Sequence, residues 1–112
     1  MIQPNPNLFG NPFEWQDLQI LELVAQQVEK DFLSATLDHY LEIERPVQGK
    51  GLYHAVWLAI SNVSTLASGS LQQLLYRIDL SEEKGRETNL EILAEEILKR
   101  CLQKVILKKY YS

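Results

Sequence analysis

Three groups of side chains in this chain have types and spacings that could support chemistry. The first lies in Asp38-His39-Tyr40-Leu41-Glu42. His39 and Glu42 are three residues apart and share a face if the segment is helical, with Asp38 beside them. Imidazole and carboxylate together are ligands for divalent transition metals. Dinuclear carboxylate bundles use Glu-x-x-His twice, with two further inward-pointing glutamates. Here the order is reversed and no second copy exists, so Glu22 and His54 would have to be recruited. A solvated helix face is the better account of the group, because such a metal site needs more ligands than these, and neither a metal nor a cofactor is expected.

The second group is Tyr53, His54 and Trp57, in Tyr-His-Ala-Val-Trp. A histidine one turn from a tryptophan could act as a base or ligand in an aromatic pocket. The plainer reading is a partly buried histidine near a helix start. The third group is basic: Lys99, Arg100, Lys104, Lys108 and Lys109 follow the last acid, Glu96, with Tyr110 and Tyr111 behind them. Cations interleaved with aromatics can grip phosphate. Cations at a helix C-terminus are also favoured by the helix dipole. The chain as a whole carries net charge −4, with a pI near 5.1, so nucleic acid is not an expected partner. The lone cysteine, Cys101, falls on an apolar stripe and reads as a core thiol, not a nucleophile. No phosphate-binding glycine loop, zinc-protease helix motif, paired-cysteine motif or nucleophile elbow is present, and a non-enzymatic protein is expected.

Any such groups must be held by helices. The four prolines stand at 4, 6, 12 and 46, so nothing after Pro46 forbids helix. Residues 1–10, rich in Pro, Asn and Gly, read as an extended N-terminal arm. Asn11, Pro12 and Glu14 supply a cap, a favoured first position and a returning carboxylate. Leu18, Leu21, Val24, Ala25, Val28 and Phe32 then recur at spacings of three and four. Leu33, Leu37, Tyr40 and Leu41 form a second stripe well over 90° away on the helical wheel. The phase change predicts a break near residues 31–34, then a shorter helix to about Arg45. The alternation Leu41-Glu42-Ile43-Glu44 allows a short strand as the lesser reading. Glu-Arg-Pro-Val-Gln-Gly-Lys-Gly is the main loop.

Gly51 to Tyr76 then runs for 26 residues without Asp, Glu, Lys or Arg, in a chain that is 23% charged. The length suits a membrane span, but His54, Asn62, Gln72 and Gln73 would be costly in lipid, so none is expected. Leu52, Val56, Ala59, Ile60, Val63, Leu66, Ala67, Leu71, Leu74 and Ile78 predict one helix of about 40 Å over residues 52–79. Gly69 is a weak point where a bend would come easily. The opposite face carries Ser61, Thr65, Ser68, Gly69 and Gln72. These are small or neutral groups that let another helix approach closely. Thr88 with Glu91 forms a second capping box, opening a last helix with Leu90, Leu93, Ala94, Ile97, Leu98, Cys101, Leu102, Val105 and Ile106 on one stripe.

The expected fold is all-α. It is an antiparallel helical bundle of three long helices, or four if the first breaks, in one domain over residues 11–112. At 112 residues and 46% hydrophobic it can bury a core without metals or disulfides. The N-terminus has neither a basic region nor a long apolar run, so no signal peptide is expected. The single thiol fits a reducing, cytoplasmic setting. The expected role is association, with a second copy or a protein partner, through the neutral face of helix 52–79. The alternative is a small-ligand or metal-binding bundle, or an enzyme built on one, using Tyr53, His54 and Trp57 or Asp38, His39 and Glu42.

Overall fold

In the computed structural model, the described residues are Pro12, 15–67 and 69–111. The expected arm, Asn11, Glu14 and Ser68 lie outside them. The first helix, α1, spans Leu18–Ser34. Its cap is Asp17, whose carboxylate accepts from Ile20 N at 3.1 Å. A helix starting there puts Ile20, Leu21, Val24, Ala25, Val28 and Phe32 in the core and leaves Leu18 in solvent.

The break expected near residues 31–34 is present, but the helix expected to Arg45 does not form. Thr36 turns left-handed at φ 58°. Leu37 N then donates to Phe32 O at 2.9 Å and Thr36 N to Leu33 O at 2.9 Å. That pair of bonds is a Schellman closure, which satisfies the last carbonyls and folds the residue beyond the end back onto the helix. Leu37 is thereby buried without being helical. One 3-10 turn follows, Asp38–Tyr40, and then extended chain through residues 41–44. Leu41 and Ile43 are half-buried while Glu42 and Glu44 are exposed. The alternation is therefore realised, though the segment pairs with no strand among the described residues.

α2 spans Gly49–Val63 and α3 spans Ser70–Ile78, so the single helix expected over 52–79 is two. The division comes from hydroxyls and one glycine. Ser64 Oγ donates to Ser61 O at 2.7 Å and Thr65 Oγ1 to Asn62 O at 2.7 Å. Side chains that bind their own carbonyls compete with helix propagation. The backbone tightens as well: Thr65 N donates to Asn62 O and Leu66 N to Val63 O, both across three residues. Gly69 then restarts the chain at φ 100°, a conformation that costs a side-chain-bearing residue about 1–3 kcal/mol. α3 ends in a second Schellman closure at Asp79, φ 64°, with Leu80 N donating to Leu75 O at 3.1 Å.

A four-residue helix, α4, spans Glu82–Gly85, and α5 spans Leu90–Tyr111. α4 is capped by Ser81, whose hydroxyl accepts from Lys84 N. The cap of α5 is Asn89, one residue beyond the expected Thr88. Its Oδ1 accepts from Glu91 N at 2.9 Å and from Ile92 N at 3.4 Å. Asparagine ranks at least level with threonine at this position.

The fold of the described residues is thus all-α, without strands, and the helices pack on one another. α5 lies against α1, α2, α3 and α4, and α1 also meets α3. The expected stripe on α5 is buried from Leu93 to Ile106, including Cys101. The radius of gyration is 13.3 Å, the value expected of a compactly folded chain of this length. Among the described residues no helix is long and apolar enough to cross a membrane.

Candidate functional site

The fold draws the first two sequence groups apart and recombines parts of them. Tyr53 faces inward, and its hydroxyl donates to Glu91 O at 2.9 Å, tying α2 to the start of α5. Burial raises its pKa above the usual range, with Glu95 and Glu91 adding to the effect. His54 faces out, stacked on Trp57 with ring centroids 5.9 Å apart. His39 is exposed and lies against Tyr40, 4.1 Å between centroids. Asp38 is exposed as well.

His39, Glu42 and His54 nevertheless line one groove of about 730 Å³, between the segment after α1 and the outer face of α2. Both histidines of the chain stand on it. Glu44, Gln48 and Asn62 add polar groups, and Ala55 and Leu58 add an apolar surface. The volume falls in the range of small-molecule sites. Among the described residues no three His, Cys, Asp or Glu side chains gather as metal ligands would.

Arg45 borders the same groove but reaches across to α1. Its guanidinium donates to Glu22 at 3.0 and 3.2 Å and to Glu29 at 2.6 and 3.0 Å. This clasp anchors the segment after α1, and sequence reasoning missed it. No local spacing links Arg45 to Glu22, 23 positions away. The hydrogen bonds from Arg45 hold the Glu22 carboxyl below its ordinary 4.5. A carboxylate so depressed stabilises the fold above its unfolded pKa, and the contribution fades as the pH falls below 4.5 through the folded value. Arg45→Met is therefore expected to destabilise by less than about 1 kcal/mol near neutrality, because these side chains are more than one-third exposed. The difference from wild type should shrink in acid. Urea titrations at about pH 7 and about pH 3 check it; an equal difference at both would place the effect outside the ion pairs.

The basic C-terminal group is largely engaged within the chain. Arg100 donates to Asp79 Oδ2 at 2.9 Å and to Asp79 O at 3.1 Å, locking the left-handed turn after α3. Lys104 Nζ lies 2.9 Å from Asp31 Oδ2, and Lys108 Nζ lies 3.2 Å from Gln27 Oε1. Gln27 Nε2 donates to the other oxygen of Asp31, and the Cys101 thiol approaches Oδ2 at 3.6 Å. Burial, followed by the Asp31 charge, pushes the thiol pKa far above its usual range, so Cys101 stays a protonated core group. This polar cluster between α1 and α5 was not anticipated either. Its signal was Asp31, the one acid facing the apolar side of α1.

The neutral group spans the corner between α2 and α3. Ser61 is half-buried and donates to Trp57 O at 2.8 Å, whereas Thr65, Gly69 and Gln72 are exposed. The hydroxyls of Ser61, Ser64 and Thr65 are bound to their own backbone. What the corner presents outward is small and uncharged, in place of the continuous helix face expected. Beside it opens a second groove, of about 690 Å³, with Leu71, Leu75, Leu80 and Leu90 among its walls and Tyr76 and Gln72 on its α3 side. Tyr76 is 79% exposed, the most exposed large apolar side chain among the described residues. Comparison of the chain with family models, with curated proteins and with solved structures finds no match.

Proposed function

We propose that this protein is a non-enzymatic association module that pairs with a second copy through the corner between α2 and α3. One observation carries the reading. Among the described residues between Asn62 and Tyr76 the exposed side chains are Asn62, Ser64, Thr65, Ala67, Gln72, Gln73 and Tyr76, and none of them is charged. Solvated helix surface normally carries Lys and Glu, and depletion of charge marks the centre of protein interfaces. Two copies of net charge −4 repel at long range, and an uncharged patch is where they approach at least cost.

Thr65→Arg tests the reading. Thr65 is exposed and bonds only its own turn, so the variant should fold with stability within about 0.5 kcal/mol of wild type at the monomer level. Light scattering should show the wild type at twice the chain mass and the variant at the chain mass. Wild-type protein at monomer mass in concentrated solution would remove the proposal.

The placing of His39, Glu42 and His54 on one groove favours a second reading, a small-ligand-binding bundle. Elemental analysis of the purified protein tests its metal-binding form, for which no three ligands gather among the described residues. Stoichiometric zinc, iron or manganese that disappears in the His39→Ala, His54→Ala double variant would establish it, and metal-free protein would sink that form.

A further inference from the structure

The structure points to a specific contact within such a pair. We infer that Tyr76 of each copy seats in the leucine-lined groove of the other, under Arg86. The inference rests on the proposed self-association and adds its geometry.

Three features of the groove match a tyrosine. Its floor is aliphatic: Leu75 is buried, and Leu71, Leu80 and Leu90 are half-buried. This floor comes directly from the Schellman closure at Asp79, which folds Leu80 back over Leu75. The wall from α4 and the following turn carries both charge signs, as Glu82, Arg86 and Glu87. Arg86 is 77% exposed and meets Glu82 only at 3.8 Å, so its guanidinium is available to lie on an incoming ring. The neighbouring carboxylates can accept from a phenolic hydroxyl.

The opposite wall, from α3, carries no charge and bears Tyr76 itself, which stays exposed instead of filling its own groove. A two-fold axis places the uncharged wall of one copy against the mixed-charge wall of the other, twice. Isologous pairing of this kind needs one self-complementary surface, and an aromatic wall beside an aromatic-binding wall is such a surface. Large aromatics and arginine are also the residues that dominate interface energy.

Sedimentation equilibrium across a wide concentration range tests the contact, with circular dichroism to confirm folding. Tyr76 and Arg86 are exposed, so Tyr76→Ser and Arg86→Ala should leave the monomer fold intact. Tyr76→Ser should weaken the dimer at least about tenfold, and Arg86→Ala by a few-fold to about tenfold. In a mixture of labelled and unlabelled chains, isotope-filtered spectra should show intermolecular contacts from the Tyr76 ring to leucine methyls of the groove. A wild type that stays monomeric overturns this contact and the proposed function together. A wild-type dimer that Thr65→Arg dissociates, but that Tyr76→Ser leaves at full affinity, overturns the Tyr76 contact alone.

Discussion

Val63→Asp is expected to abolish cooperative folding. Val63 is the last residue of α2 and 1% exposed, within the core cluster shared by α1, α2, α3 and α5. A carboxylate there has no lysine or arginine in sequence from Gly51 to Tyr76 to pair with. Burying such a group unpaired costs several kcal/mol, or the side chain must take up a proton to avoid the charge. The site is also unfavourable for an anion because a helix C-terminus carries negative partial charge, which adds about 0.3–1 kcal/mol. Domains of this size are stable by about 5–15 kcal/mol in total. The variant should lose its sharp thermal transition by circular dichroism at neutral pH. Melting unchanged from wild type would mean that the α2 stripe does not face the core.

Asp31→Ala should be the most damaging single change in the polar cluster. The carboxylate is 6% exposed and serves Lys104, Gln27 and Cys101 at once. Removing it leaves the Lys104 ammonium, whose side chain is 16% exposed, with a long 3.5 Å bond to Arg77 O, and unpairs the Gln27 amide. Breaking a buried pair by deleting one partner costs about 3–5 kcal/mol; the residual exposure of Lys104 places this case at about 3. The double variant Asp31→Leu, Lys104→Met should recover most of that loss, because two apolar groups no longer need each other. Urea midpoints for Asp31→Leu, Lys104→Met and the double variant complete the cycle. If the double variant loses the sum of the single losses, the two side chains are not coupled, and the pair does not align α1 with α5.

Much of the helical content was legible because helix periodicity is local. The α5 stripe from Leu93 to Ile106 reads off spacings of three and four, and all nine of its apolar positions up to Ile106, Leu90 included, are buried or half-buried. The α1 stripe did equally well, apart from Leu18 in its first turn. Ends and interruptions were less legible. Thr36 and Asp79 take left-handed turns without a glycine to mark them, since the closure depends on where Leu37 and Leu80 find a core. The run Asn62-Val63-Ser64-Thr65 keeps an apolar period compatible with helix. Whether its hydroxyls turn back onto the carbonyls depends on what the next stretch can pack against.

The candidate sites divide the same way. The amino-acid order settles that one stretch is uncharged, that Cys101 sits on an apolar stripe, and that the acids and bases of α5 segregate toward its two ends. Each follows from neighbours a few positions apart, where backbone geometry is nearly the same in any fold. Folding alone brings His39 and His54 to one groove, Arg45 onto Glu22 and Glu29, and Asp31 onto Lys104, 73 positions away. Such pairings depend on which helix faces close on each other. That choice is made by the summed burial of the whole core, to which no short window of sequence contributes more than a part.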